Sequence, residues 1–121
     1  MHILILVGIC VLLGSFGQIL LKVGTNIIGS IELRDIFSAK FFSIISNPYI
    51  FSGVLMYAIA MLLWFVIISQ VEISFVYPLI SITYIVVALI AWVFLGESLT
   101  MIKFFGILLI IGGVYLVLLK I

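Results

Sequence analysis

The sequence predicts an all-α membrane protein, a single domain over residues 1–121 built from four transmembrane helices. Two observations carry this expectation. Hydrophobic residues make up 68% of the chain and charged residues only 7%, against about 25% charged in a soluble domain. A soluble chain of this size needs a polar surface that this one lacks. The apolar runs are also about 20 residues long, the length a helix needs to cross a hydrocarbon core of about 30 Å. The net charge of +1 excludes a nucleic-acid partner, which requires a basic patch.

Span one is expected over about 3–22, between His2 and Lys22. It is too long for the apolar region of a signal peptide, lacks a basic leader and shows no small-residue cleavage site, so it is read as retained. Gly8, Gly14 and Gly17 permit close helix contact. Ser15, Gln18 and Lys22 form a polar line at helical spacing. Two readings of that line stand: bonds to a neighbouring helix with Lys22 snorkelling to the headgroups, or contact with a substrate. Cys10, the sole cysteine, cannot form an intrachain disulfide.

The stretch 23–47 is the only long polar segment. Thr25, Asn26, Gly29 and Ser30 are read as a turn. Beyond it, Leu33, Ile36, Phe37, Phe41, Ile44 and Ile45 share one helical side, and Glu32, Asp35, Ala39 and Ser43 the other. That pattern suits an interfacial helix between spans one and two, or else an extension of span two. Asn47-Pro48 favours a break, because Asn caps helices and Pro suits their first position.

Span two is expected over about 49–69. Gly53, Tyr57, Ala60 and Trp64 share a face that serves helix packing or a substrate. The short connection through Glu72 makes spans two and three antiparallel neighbours. Span three, about 74–95, is uncharged from Ile73 to Gly96, yet Ser74, Tyr77, Ser81 and Tyr84 line one face beside Pro78. Polar groups at bilayer depth need a partner helix or a wet cavity. Span three is therefore expected at the centre, with the other three packed around it. Pro78 falls in its first turns, where a severe kink is not required. Gly96 is a helix terminator, and Ser98 or Thr100 a cap for span four, about 101–119. Gly106 and Gly113 lie seven residues apart on one smooth face of span four, a candidate dimer interface.

Lys22, Arg34, Lys40 and Lys103 lie on the side of the first and third connections, against Lys120 and the amino terminus opposite. Positive charge thus predicts those connections inside and both termini outside. No enzyme constellation is present: one His and one Cys supply neither a metal site nor a nucleophile pair. The carboxylates Glu32, Asp35, Glu72 and Glu97 all fall outside the predicted spans. What remains is a tyrosine-lined polar interior with Lys22 at its inner mouth.

GQILLK (Gly17 to Lys22), VYPLIS (Val76 to Ser81), LGESLT (Leu95 to Thr100) and GILLIIGG (Gly106 to Gly113), in this order, resemble the drug/metabolite transporter superfamily. The chain is similar to four-span small multidrug resistance transporters and to one EamA-type repeat. Through Tyr77-Pro78 and the segment Ser81 to Tyr84 it most resembles aminoarabinose–phosphoundecaprenol flippase subunits. The resemblance implies a small multidrug resistance-like bundle in a bacterial or archaeal cytoplasmic membrane. It also implies a dimer, with an oppositely oriented paralogue as one candidate partner, and no cofactor. The essential first-span glutamate of the multidrug branch falls at Gly14, its stacking tryptophan at Ile80 and its kink glycines at Ile82 and Tyr84, while Tyr77 matches its binding-site tyrosine. Losing that carboxylate removes both the proton carrier and the countercharge for a cation.

The first functional expectation is therefore translocation of a polyprenyl-phosphate-linked sugar between leaflets. Lys22 would receive the phosphate, and Gln18, Ser15, Tyr77, Ser81, Tyr84 and Trp64 would face the headgroup. The alternatives are a proton-coupled exporter of small cations, with Glu72 as the acid, and a non-transporting scaffold subunit.

Overall fold

The computed structural model describes residues 2–119; Lys120, counted above among the charges, lies outside them. Among the described residues the chain forms α1 (His2–Ile28), α2 (Leu33–Ile36), α3 (Lys40–Ile45), α4 (Pro48–Gln70), α5 (Ile73–Ile80), α6 (Ile82–Phe94) and α7 (Met101–Leu118). Four stretches are long and apolar enough to cross a membrane: α1, α4, α5 with α6, and α7.

Local chemistry sets several helix ends where the sequence places them. The Asn47 side-chain oxygen accepts the backbone N–H groups of Tyr49 at 2.9 Å and Ile50 at 3.2 Å, and Pro48 occupies the first turn of α4. Gly96, at φ 71°, turns the chain away from α6. The Thr100 hydroxyl then caps α7 by accepting the Lys103 N–H at 3.2 Å.

Three expectations are corrected. First, the helix of span one runs past Lys22 to Ile28, and Thr25 and Asn26 are helical rather than a turn. The Thr25 hydroxyl donates back to the Lys22 carbonyl, and Gly24 packs on Ile50 and Asn47, so tertiary contact holds the last turns. Only Gly29, at φ 101°, ends the helix. Second, the amphipathic connection is two short helices. The Ser38 hydroxyl donates to the Asp35 carbonyl and accepts the Lys40 N–H, drawing the backbone out of the helical ladder. Third, span three breaks at Ser81. Pro78 has no N–H to return to Ser74. The Ser81 hydroxyl donates to the Pro78 carbonyl, and the Ser81 and Tyr84 N–H groups reach back only three residues.

The packing also displaces span three from the centre. α1 holds that place, lying antiparallel to α4 along its length and also meeting α5 and α6. The pair is stitched by His2 to Gln70 (3.2 Å), by the Cys10 thiol donating to the Ala60 carbonyl (3.4 Å), and by Gln18 donating to the Tyr57 hydroxyl (2.8 Å). Its closest approach is at two glycines. A Cβ on Gly53 would lie 2.8 Å from the Gly17 carbonyl oxygen, and one on Gly17 would lie 3.1 Å from the Gly53 oxygen. Backbones approach this closely only where side chains are missing, so the sharpest packing constraint lies between spans one and two.

Buried side chains gather toward one end of the bundle. Val7, Ile67, Val76, Leu79 and Val114 form one cluster with Cys10, Val11 and Ala60. Most of these lie in the half nearest the amino terminus and the short link between α4 and α5. That link leaves two residues between the helices, so their ends cannot separate. At the other end, the connections 29–47 and 95–100 are longer and fewer side chains are buried. α7 contributes only Val114 to the cluster and packs on α5 and α6.

Candidate functional site

The helices line a cavity of about 720 Å³. Its back wall is α1, through Cys10, Gly14 and Gln18. One side is α4, through Tyr57, Ala60, Met61 and Trp64; the other is α5 and α6, through Tyr77, Ile80, Thr83, Tyr84, Val87, Ala88 and Ala91. Glu97, Ser98, Leu99 and Lys103 complete the lining at the third connection and the start of α7. α4 and α6 both pack on α1 rather than on each other, so the cavity lies in the cleft between them.

The lining changes in chemistry along the bundle. Toward the α4–α5 link Trp64 and Tyr77 meet edge to face, with ring centroids 6.0 Å apart and planes at 65°. Midway, the Gln18 amide donates to the Tyr57 hydroxyl at 2.8 Å, leaving the Gln18 carbonyl free to accept. At the mouth, the Lys103 ammonium donates to the Ser98 carbonyl at 3.0 Å. An ammonium has three donors, so Lys103 is oriented and still has hydrogen-bonding capacity. Glu97 is the only carboxylate of the lining.

Four of the sequence-predicted site residues line this cavity: Gln18, Tyr77, Tyr84 and Trp64. Three do not. Lys22 is exposed on α1 about one turn beyond Gln18, in the same i, i+4 row as Cys10, Gly14 and Gln18, but is not part of the lining. Ser81 is half-buried at the helix break, with its hydroxyl turned onto Pro78. Ser15 is 0% exposed, and its hydroxyl makes no hydrogen bond. A buried, unpaired hydroxyl costs about 1–3 kcal/mol. Ser15→Ala is therefore expected to keep transport and leave thermal stability in detergent equal to wild type or higher. A lowered melting point would restore a polar role to Ser15.

Glu72, the candidate acid for proton coupling, precedes α5 at the opposite end and does not line the cavity. Gly14 does line it, and a Cβ there would meet no atom within 4 Å. The position of the missing carboxylate is thus open space. Sequence reasoning missed Lys103, Thr83, Glu97 and Ser98 as lining residues, and placed Tyr57 only on a face open to packing or substrate. LGESLT read as a helix end and Lys103 as a topology charge, and only the fold brings them into the lining with Gln18. Gly106 and Gly113 lie on the open face of α7, where an added Cβ would meet nothing within 4 Å.

Residues 12–119 match the model of the EamA-like transporter family. The chain belongs to that family. It is a multi-pass membrane protein of transporter type. It is 32% identical over 110 residues to the probable 4-amino-4-deoxy-L-arabinose-phosphoundecaprenol flippase subunit ArnF of Serratia proteamaculans, covering 88% of this chain and 85% of that one. The corresponding ArnF of Proteus mirabilis is 31% identical over 88% of this chain and 84% of its own. The probable flippase subunit ArnE of Pectobacterium atrosepticum is 29% identical, over 93% and 94% of the two chains. No solved structure matches the chain significantly.

Proposed function

We propose that this EamA-family chain is a subunit of an inner-membrane flippase for a polyprenyl-phosphate-linked sugar. The observation that carries the reading is the one-sided cavity. Its mouth carries the Lys103 ammonium with hydrogen-bonding groups and the Glu97 carboxylate, and its other end is aromatic, in a cleft between α4 and α6. Lys103 attracts the phosphate as a point charge. Gln18, Tyr57, Thr83 and Tyr84 offer hydroxyl and amide groups to the sugar. The polyprenyl tail stays in lipid outside the cleft, so only the headgroup leaves water, and it does so onto polar side chains rather than hydrocarbon.

Charge asymmetry supports the mouth facing the cytoplasm, with Lys22, Arg34, Lys40 and Lys103 on that side and both termini outside. The relatives are named as subunits, which supports a second subunit here; an oppositely oriented paralogue supplies the inverted half that transporters commonly use. The open strip of Gly106 and Gly113 suits its docking. Export of cations is less favoured, because no carboxylate from a membrane-spanning helix lines the cavity.

Native mass spectrometry of the gently solubilised protein tests the reading. Retained polyprenyl phosphate or its glycosylated form is expected, and the bound mass identifies the headgroup. A lipid-free protein that instead captures added quaternary ammonium ions would overturn it.

A further inference from the structure

The segment between α1 and α4 exposes large apolar side chains that nothing in the chain covers. Leu33 is 73% exposed, Phe37 83% and Phe42 74%. The segment hangs between two membrane-spanning helices, so topology holds it at the bilayer surface on the side of the cavity mouth. One end is fixed by the Gly29 turn after α1. At the other, Ile44 is buried, α3 packs on α4, and the Asn47 cap starts α4.

Its charges are already satisfied. Arg34 pairs with Glu32 at 2.9 Å, and Lys40 with Asp35 at 3.6 Å. Asp35 also accepts the Glu32 backbone N–H at 3.0 Å, closing the first turn of α2. These four are the only charged residues from 29 to 47, so the segment carries no net charge. Attraction of a basic segment to anionic lipid depends on uncompensated Lys and Arg. Here each cation faces a carboxylate, and the unpartnered surface is aromatic and aliphatic.

We propose that this connection is an interfacial anchor. It inserts Leu33, Phe37 and Phe42 into the headgroup–acyl boundary and does so independently of lipid charge. The occupant of the apolar face is the bilayer itself. The inference does not rest on which substrate is moved. The anchor fixes the depth of the start of α4, whose first turn is joined to α3 through Ser46 and Asn47.

Spin labels test it. In a Cys10→Ala background, Leu33→Cys and Phe37→Cys are labelled separately in the full-length chain. Each is reconstituted in phosphatidylcholine vesicles with and without phosphatidylglycerol. Both positions are exposed, so the label is not forced into the fold. Oxygen is expected to relax both labels more than a water-soluble nickel chelate does, at a depth of about 5–10 Å into the boundary. The same depth is expected in both lipid mixtures. Labels relaxed mainly by the nickel chelate would place the segment in water and overturn the anchor. Immersion seen only with phosphatidylglycerol would overturn its independence of charge. Immersion lost as protein is diluted in lipid would show that a second copy, not the bilayer, covers the face.

Discussion

Lys103→Ala is expected to weaken headgroup capture about 10–100-fold, since a charge-assisted hydrogen bond contributes about 1.5–3 kcal/mol and each 1.4 kcal/mol is tenfold in affinity. The assay is transbilayer movement of a short-chain, fluorescent polyprenyl-phosphate sugar in proteoliposomes, with the proposed partner subunit included. Lys103 is singled out because its ammonium lines the cavity mouth and is oriented by the Ser98 carbonyl at 3.0 Å. Lys103→Arg keeps the charge and is expected to retain most of the rate. Lys22→Ala is expected to stay near wild type, because Lys22 lies outside the lining. Equal losses at Lys22 and Lys103 would return the phosphate site to α1 and remove the mouth described above. Raising the salt concentration is expected to weaken capture by the wild type more than by Lys103→Ala, because an exposed point charge is screened.

Gly53→Val is expected to leave little correctly folded protein. Its first carbon would stand 2.8 Å from the Gly17 carbonyl oxygen and 3.0 Å from Leu21 Cγ. Backbone cannot rotate away as a side chain does, so α1 and α4 must separate. Overpacking of a close contact costs about 1–3 kcal/mol, and a β-branched side chain adds more than the single carbon of Gly53→Ala. Separation also lengthens the Gln18–Tyr57 bond that forms part of the cavity wall. Thermal unfolding in mild detergent, followed by far-ultraviolet circular dichroism and gel filtration, reads the effect. Gly113→Val is the comparison, because a Cβ there meets open space within this subunit. A monodisperse Gly53→Val protein with an unchanged melting point would mean that the two helices do not cross where these glycines meet. Loss at Gly113 only when the partner is present would place that face in the subunit interface.

Much of this arrangement is legible in one dimension. A span is announced by its own uncharged length, and a cap by its own side chain. Asn47, Thr100 and Gly96 act within a few residues of themselves, so each could be read before the fold was known. The absence of an acid from the spans is a property of the sequence, and so is the motif order that resembles the transporter superfamily. Tyr77, Tyr84, Gln18 and Trp64 line the cavity, in keeping with the need of polar and aromatic groups at bilayer depth for somewhere to face.

Helical periodicity, by contrast, gives a residue's angle on its own helix but not what stands opposite. Ser15, Gln18 and Lys22 share a line on α1, yet one is buried, one bonds Tyr57 in the cavity wall, and one is outside the lining. α1 continues past Lys22 partly because Gly24 meets Ile50, a contact between residues far apart in the chain. Lys103 looked like a charge that sets topology, and it became a cavity residue only when α7 packed against α5 and α6. Which helix is central was decided the same way. Span three has the most conspicuous polar face, but the two glycines that let backbones touch belong to α1 and α4. The number of spans, the helix boundaries at Asn47, Gly96 and Thr100 and the missing acid are therefore set by local hydrophobicity and local hydrogen bonding. The central helix, the lysine at the mouth and the cavity itself are set by close approach between distant residues, which no local pattern encodes.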